Sequence, residues 1–327
     1  MMRVAWGVAA VAAALISGCS PQVQGLGPAR VEPQLKVDQF RARDGALLPL
    51  RVWPAAAEER AVVVALHGFN MYHRIFEDAA PWWAERGITV YAYDQRGFGA
   101  APRPGIWGGE EAFIADARDM VRLVVACHPG MPVFLMGESM GAAVALLTLA
   151  DDAQPLVAGA ILVAPAVWGG QAMNPAFRNS LWFAAHTMPW NRATGNGLRR
   201  RATDNTELLR ALSEDPLVIK HTRIDAVYGV TRLMGTAFDA ARRVDGVPVL
   251  VLYGERDEIV PARPVQGMLG QLRAAYRLAL YPQGWHMLLS DRQAETVWRD
   301  VDAWVRDRAA PLPSGQEKDL RSWIKAN

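Results

Sequence analysis

The chain has 327 residues, enough for about two domains or for one large domain with an insertion, and 51% of it is hydrophobic. Its 35 lysines and arginines face 33 aspartates and glutamates, so no charge excess argues for a nucleic-acid partner; a small, weakly charged or apolar substrate fits better. Two cysteines, Cys19 and Cys127, exclude a disulfide framework and a cysteine-based zinc site of the usual spacing.

The N-terminus carries one positive charge, Arg3, and then an apolar stretch from Val4 to Ile16, shorter than the ~20 residues that span a bilayer. Residues 1–18 read as a signal peptide, with an uncleaved anchor segment as the alternative. Leu15-Ile16-Ser17-Gly18-Cys19 resembles the lipobox of bacterial lipoproteins. The resemblance implies cleavage before Cys19, acylation of that residue, and a membrane-anchored place in the bacterial cell envelope. Ser20 after Cys19 is similar to lipoproteins sorted to an outer membrane. Residues 19–35, rich in Pro, Gly and Gln, read as a flexible tether.

Residues 36–310 read as the folded domain. Lys36 to Trp53 suggests two strands joined by a turn at Asp44-Gly45. Ala61 to Leu66 is a continuous apolar run of the kind that fills a buried parallel strand, and it ends in His67-Gly68-Phe69-Asn70. A helix is expected over Phe76 to Arg86. A strand follows over Ile88 to Tyr93, closing with Asp94-Gln95-Arg96-Gly97-Phe98-Gly99, where Asp94 and Arg96 are expected to brace the loop. Glu110 to Ala126 has the pattern of an amphipathic crossover helix, and Cys127 after it is expected to be buried. The alternation of strand, loop and helix predicts a mostly parallel sheet with helices on both faces.

The stretch with the most chemistry comes next. Val133-Phe134-Leu135-Met136 runs into Gly137-Glu138-Ser139-Met140-Gly141 and then into the small-residue start of a helix. A strand turning sharply into a helix through Gly-x-Ser-x-Gly lifts the serine hydroxyl clear of the sheet, which makes Ser139 the candidate nucleophile. The unpartnered N–H groups of the new helix point toward any oxyanion beside it, so the Met140 N–H is one expected donor. The Gly-containing loop after Leu66 supplies the other, the Phe69 N–H, while His67 is expected to order that loop. Glu138 is expected to brace the elbow or the cap.

After a strand at Ala160 to Ala164 the rhythm breaks until Val249. Residues of about 166–245 form a helical, basic and aromatic insertion, read as a cap over the carboxyl ends of the strands. Its Leu181-Trp182-Phe183, Met188-Pro189-Trp190 and Leu233-Met234 are expected to line an acyl-chain tunnel, to face lipid, or only to join the cap to the core. Arg199-Arg200-Arg201 reads either as a contact for anionic headgroups or as a solvated face. The pattern resumes with a strand at Val249 to Tyr253, a helix over Arg263 to Ala275, a strand at Arg277 to Tyr281 and a closing helix with Trp298, Val301 and Trp304. Residues 311–327 read as a C-terminal tail without a role.

Asp257, in the loop after the Val249 strand, is the candidate acid, with Glu258 and Asp291 as rivals. His286, in the loop after the last strand, is the candidate base. The order serine, acid, histidine, each after a predicted strand, is that of the α/β-hydrolase fold. A dinucleotide fingerprint and a histidine pair at metal-ligand spacing are both missing, so neither a cofactor nor a metal is expected.

From about Gln39 to Arg306 the sequence resembles the monoacylglycerol lipase and lysophospholipase group of serine hydrolases. The resemblance rests on His67-Gly68-Phe69, Asp94 to Gly99, Gly137 to Gly141, the Gly254 to Pro261 loop and His286, with Asp215-Pro216-Leu217 and Thr222-Arg223 in the cap. It implies a lid-bearing hydrolase that cleaves fatty acyl esters of glycerol. The expectation is a serine hydrolase of single-chain acyl lipids. The alternatives are a broad carboxylesterase or peptidase of the same fold, or a non-catalytic lipoprotein that binds an acyl ligand. The lipoprotein leader departs from the cytosolic members of the group.

Overall fold

A computed structural model of the chain describes residues 20–194 and 200–326, so the expected signal peptide and the expected lipidation residue Cys19 lie outside the described residues. Among the described residues one sheet has the order β1 (Gln34–Leu35), β2 (Gln39–Arg41), β3 (Leu47–Trp53), β5 (Ile88–Tyr93), β4 (Ala61–Leu66), β6 (Val133–Glu138), β7 (Gly159–Val163), β10 (Val249–Gly254) and β11 (Tyr276–Tyr281). Strands β1 to β3 run antiparallel to their neighbours, β3 lying against β5, and every pairing from β5 through to β11 is parallel. Every residue of β4, β6 and β10 is buried, as expected of strands covered on both faces.

Alternate side chains of these strands feed two cores. Val62, Val64, Leu66 and Leu135 face the helices α2 (Glu110–Cys127), α3 (Met140–Leu149) and α7 (Ala262–Gln271). Val63, Ala65, Phe134 and Met136 face α1 (Ala79–Ala84) and α8 (Ala294–Arg306). Trp304 of α8 is buried against Phe134 at 5.7 Å between ring centroids, and Val301 is buried beside it, as their spacing of three on one helix face predicts. This is the expected α/β-hydrolase architecture, with helices on both faces of a mostly parallel sheet.

The insertion between β7 and β10 forms the cap. It contains α4 (Pro175–Thr187), β8 (Arg192–Thr194), α5 (Thr206–Glu214), β9 (His221–Arg223) and α6 (Ile224–Ala240). α6 packs on α3, the helix that begins at the elbow, so the cap is seated directly over that end of the sheet. The antiparallel pair β8 and β9 had no sequence signal, because two three-residue strands are too short to show a period.

Several boundaries differ from expectation. The segment read as a flexible tether is bound along the domain: Gln24 N–H donates to Trp107 O at 2.8 Å, Gly25 N–H to Gly108 O at 3.1 Å, and Gln22 N–H to Asp225 Oδ2 at 3.1 Å. Its Pro and Gly content suits irregular chain, but backbone groups that meet acceptors on a folded surface need no regular element to be held. The tail read as roleless also belongs to the fold. Glu317 bridges to Ala279 of β11, and α9 (Leu320–Ala326) buries Trp323 5.1 Å from the Tyr253 ring. Cys127, expected inside, is exposed, because it is the last residue of α2 and lies beyond Val124, where the buried part of that helix ends. The expected Phe76 to Arg86 helix is a 3-10 turn at His73–Phe76 followed by α1, and the expected Arg263 to Ala275 helix stops at Gln271.

Candidate active site

Ser139 sits between β6 and α3 with φ 54° and ψ −115°, a conformation that non-glycine residues rarely hold. The two flanking glycines make the turn feasible. A Cβ on Gly137 would lie 2.3 Å from the Gly141 backbone, and one on Gly141 would lie 2.0 Å from Leu66 O. The turn is pinned by Ser139 N–H donating to Val163 O at 2.9 Å and by Ala166 N–H donating to Ser139 O at 3.1 Å. The side chain is thereby held at the carboxyl edge of the sheet.

The loops after β10 and β11 bring in the partners. His286 Nδ1–H donates to Asp257 Oδ2 at 2.7 Å, which leaves Nε2 to accept from the Ser139 hydroxyl at 2.9 Å. The other Asp257 oxygen accepts the N–H groups of Ile259 at 2.7 Å and Val260 at 2.9 Å, so this carboxylate is fully engaged and its side chain has no exposure. The rival acids are turned elsewhere. Glu258 Oε2 accepts the Arg201 N–H at 2.7 Å, and Asp291 accepts the Thr203 hydroxyl at 2.6 Å and the Trp285 N–H at 2.7 Å. Arg200 and Arg201, read as a headgroup contact or a solvated face, are exposed and also meet Glu258, through the Arg200 guanidinium and the Arg201 main-chain N–H; Arg199 lies outside the described residues.

The His67 loop lies against the nucleophile, since a Cβ on Gly68 would stand 3.3 Å from Ser139 Cβ and 3.9 Å from its Oγ. Phe69 follows directly and packs its ring on Phe98 at 5.6 Å, while Met140 opens α3, where N–H groups have no intrahelical acceptor. His67 is fully buried: its Nε2 accepts the Gln95 N–H and its Nδ1–H donates to Gly68 O, both at 2.8 Å. Burial pushes its pKa down to about 4, so it orders the loop as a neutral ring. Asp94 accepts from His73 N–H at 3.1 Å and Ala100 N–H at 2.9 Å, and the Arg96 guanidinium donates two hydrogen bonds to Asp44 and two to Asp116. Both brace this loop, as expected.

Glu138, beside the nucleophile, is fully buried, and neither carboxyl oxygen has a hydrogen-bond partner among the described residues. Burial, reinforced by the neighbouring charge of Asp291, raises its pKa from 4.5 to about 8. The folded chain holds this proton while an unfolded glutamate releases it near 4.5, so stability is full below that value and declines as pH rises to about 8. Glu138→Gln removes the decline. The expected result is a melting temperature several degrees above wild type at pH 8, with little difference at pH 4.5. A variant whose advantage does not grow with pH would show that Glu138 is ionised in the folded chain.

Two features of the site had no sequence signal. One is the contact between the cap segment at residues 200–205 and the loops of Asp257 and His286, a pairing of short polar groups across sequence separations of up to 88 residues. The other is Asn70, at φ 64°, whose amide donates to Thr222 Oγ1 at 2.7 Å and whose carbonyl accepts the Ile219 N–H at 3.1 Å, joining the Phe69 loop to the cap.

A serine hydroxyl aimed at a buried imidazole, which is itself aimed at a buried carboxylate, is an arrangement suited to acyl transfer. The family described as serine aminopeptidase, S33 matches residues 57–293. A monoacylglycerol lipase of Mycolicibacterium smegmatis is 25% identical over 280 residues, covering 81% of this chain and 95% of that protein. The monoglyceride lipase of Homo sapiens is 24% identical over 283 residues, covering 82% and 89%. Among solved structures, a soluble variant of the Saccharomyces cerevisiae monoglyceride lipase in complex with a substrate analogue superposes with a TM-score of 0.72 at 21% identity, covering 88% of this chain and all of that one.

Proposed function

We propose that this chain, a serine hydrolase belonging to the serine aminopeptidase, S33 family, cleaves single-chain acyl lipids, monoacylglycerols or lysophospholipids, through an acyl-enzyme on Ser139. The observation that carries the reading is the hydrogen-bonded line from Ser139 through His286 to Asp257 beneath an aromatic cap. His286 takes the hydroxyl proton as Ser139 attacks the ester and returns it to the leaving alcohol; Asp257 holds the tautomer and stabilises the charged ring. The N–H groups of Phe69 and Met140 receive the oxyanion, each contributing about 10² to 10³ in rate. Water then resolves the acyl-enzyme by the same proton path in reverse.

The lipid assignment draws on the names of the relatives and on the cap's outer edge. Trp182 is 52% exposed, Phe183 60% and Trp190 51%, an aromatic rim that suits an interface with acyl chains. The bound N-terminal segment supports the membrane-anchored reading. Gln22 meets Asp225 of α6, whose N–H donates to Pro189 O at 3.2 Å, so the chain arriving from an acylated Cys19 would lie on the side of Trp190. One acyl chain anchors marginally, and the several chains of a processed bacterial lipoprotein anchor firmly.

Fatty-acid release from 1-monoacylglycerols and lysophospholipids of graded chain length, with Ser139→Ala as the blank, tests the substrate. Serine-dependent release that peaks at medium or long chains is expected. Hydrolysis confined to short soluble esters would replace the lipid assignment with a general esterase.

A further inference from the structure

The cap touches the loops of the acid and the base through an irregular segment, residues 200–205. Arg200 Nη1–H donates to Glu258 O at 2.5 Å and Arg201 N–H donates to Glu258 Oε2 at 2.7 Å, next to Asp257. Met287 N–H donates to Ala202 O at 2.9 Å, next to His286. Asn205 Nδ2–H donates to Ser290 O at 3.1 Å, and Arg292 N–H donates to Asp204 Oδ1 at 2.9 Å. The Arg201 guanidinium also lies 5.0 Å from the Trp285 ring centroid. Such a seam is more than cap adhesion requires, because its partners all come from the two loops that hold the proton relay.

At its centre Thr203, with no exposure, donates its hydroxyl to Asp291 Oδ1 at 2.6 Å, and Asp291 Oδ2 accepts the Trp285 N–H at 2.7 Å. Trp285 immediately precedes His286. We propose that residues 200–205 are a positioning strap for His286, acting through Thr203 and Asp291. The Thr203 hydroxyl fixes the Asp291 carboxylate, and that carboxylate fixes the backbone from which the imidazole projects.

The physical need for such a strap lies in the ring's two simultaneous bonds. Nδ1 must meet Asp257 on one element and Nε2 must meet Ser139 on another, so a displacement of the loop by a fraction of an ångström loosens one of them. Asp291 is a demanding choice of anchor. Glu138 from β6 and Asp204 from the strap, both acids, lie close enough to Asp291 to act on each other's charge, and burial already favours its protonated form. The hydroxyl of Thr203 is thus a donor that the carboxylate needs in order to keep accepting from Trp285. The strap makes the seated cap part of the catalytic geometry: when the cap lifts, the base loop loses its brace.

The inference rests on Ser139 and His286 working as proposed above, so the test reads serine activation without relying on the natural substrate. Labelling of Ser139 by a fluorophosphonate probe, and kcat and KM for p-nitrophenyl butyrate, are measured at 25 °C on folded wild type, Thr203→Val and Thr203→Ser. Thr203→Val is expected to slow labelling and lower kcat at least about tenfold while KM changes less than about twofold, and Thr203→Ser to recover most of both. Should the valine variant not fold, Thr203→Ala is read in the same way. A folded variant without the hydroxyl that labels and turns over at the wild-type rate would overturn the strap. So would a loss that the serine variant fails to recover. A wild type that the probe does not label would instead refute the hydrolase mechanism itself.

Discussion

Ser139→Ala is expected to fold as the wild type does and to lose about 10⁶ in kcat, the scale seen when a triad nucleophile is removed. Folding is spared because the elbow is held by its backbone. The bonds from Ser139 N–H to Val163 O and from Ala142 and Ala166 N–H to Ser139 O are independent of the side chain, and alanine tolerates φ 54° about as well as serine does. Among the described residues the side-chain oxygen bonds to His286 Nε2. Its loss leaves the base without a proton to take. Thermal melting alongside steady-state hydrolysis of p-nitrophenyl butyrate checks both halves. Activity within tenfold of wild type would remove Ser139 from the mechanism.

The second large effect is expected at Asp257. Asparagine there keeps the shape, and its amide oxygen can still accept from Ile259 and Val260. Its NH₂ group then faces His286 Nδ1, which drives the ring to the tautomer with the proton on Nε2, where it blocks acceptance from Ser139. A loss of about 10⁴ in kcat follows, as in other triads whose acid is converted to its amide. Glu258→Gln, one residue along, is expected to lose less than about threefold, because the glutamine oxygen still accepts the Arg201 N–H and no bond reaches the imidazole. Measuring kcat for both variants on one ester assigns the acid. A severe loss at Glu258 with a mild one at Asp257 would reverse the assignment.

Glu138 shows how position changes the meaning of a residue. In the sequence it is a charged neighbour of the nucleophile, suited to bracing the elbow or the cap. In the fold it is an unpartnered carboxyl held neutral by burial, and it faces the Asp291 charge on the base loop. Nothing in five residues of motif could indicate that its carboxyl finds no hydrogen-bond partner among the described residues, because part of its surroundings comes from a loop more than a hundred residues away.

The sequence alone determined the frame. Fully apolar runs at Ala61 to Leu66, Val133 to Met136 and Val249 to Leu252 can be buried only between two helical layers, and the spacing between them requires helical crossovers, so a parallel sheet follows from local pattern. The order of Ser139, Asp257 and His286 was legible for the same reason, since each stands in the loop after a recognisable strand. Tertiary structure decided what depends on irregular chain. Residues 20–35 and 311–326 carry no period, and their backbone groups find acceptors only once the domain surface exists. The bonds that turn Glu258 and Asp291 away from His286 depend on where residues 200–205 settle. Such polar contacts are single, long in sequence separation and free of periodicity, so they are properties of the assembled fold and leave no trace in local composition.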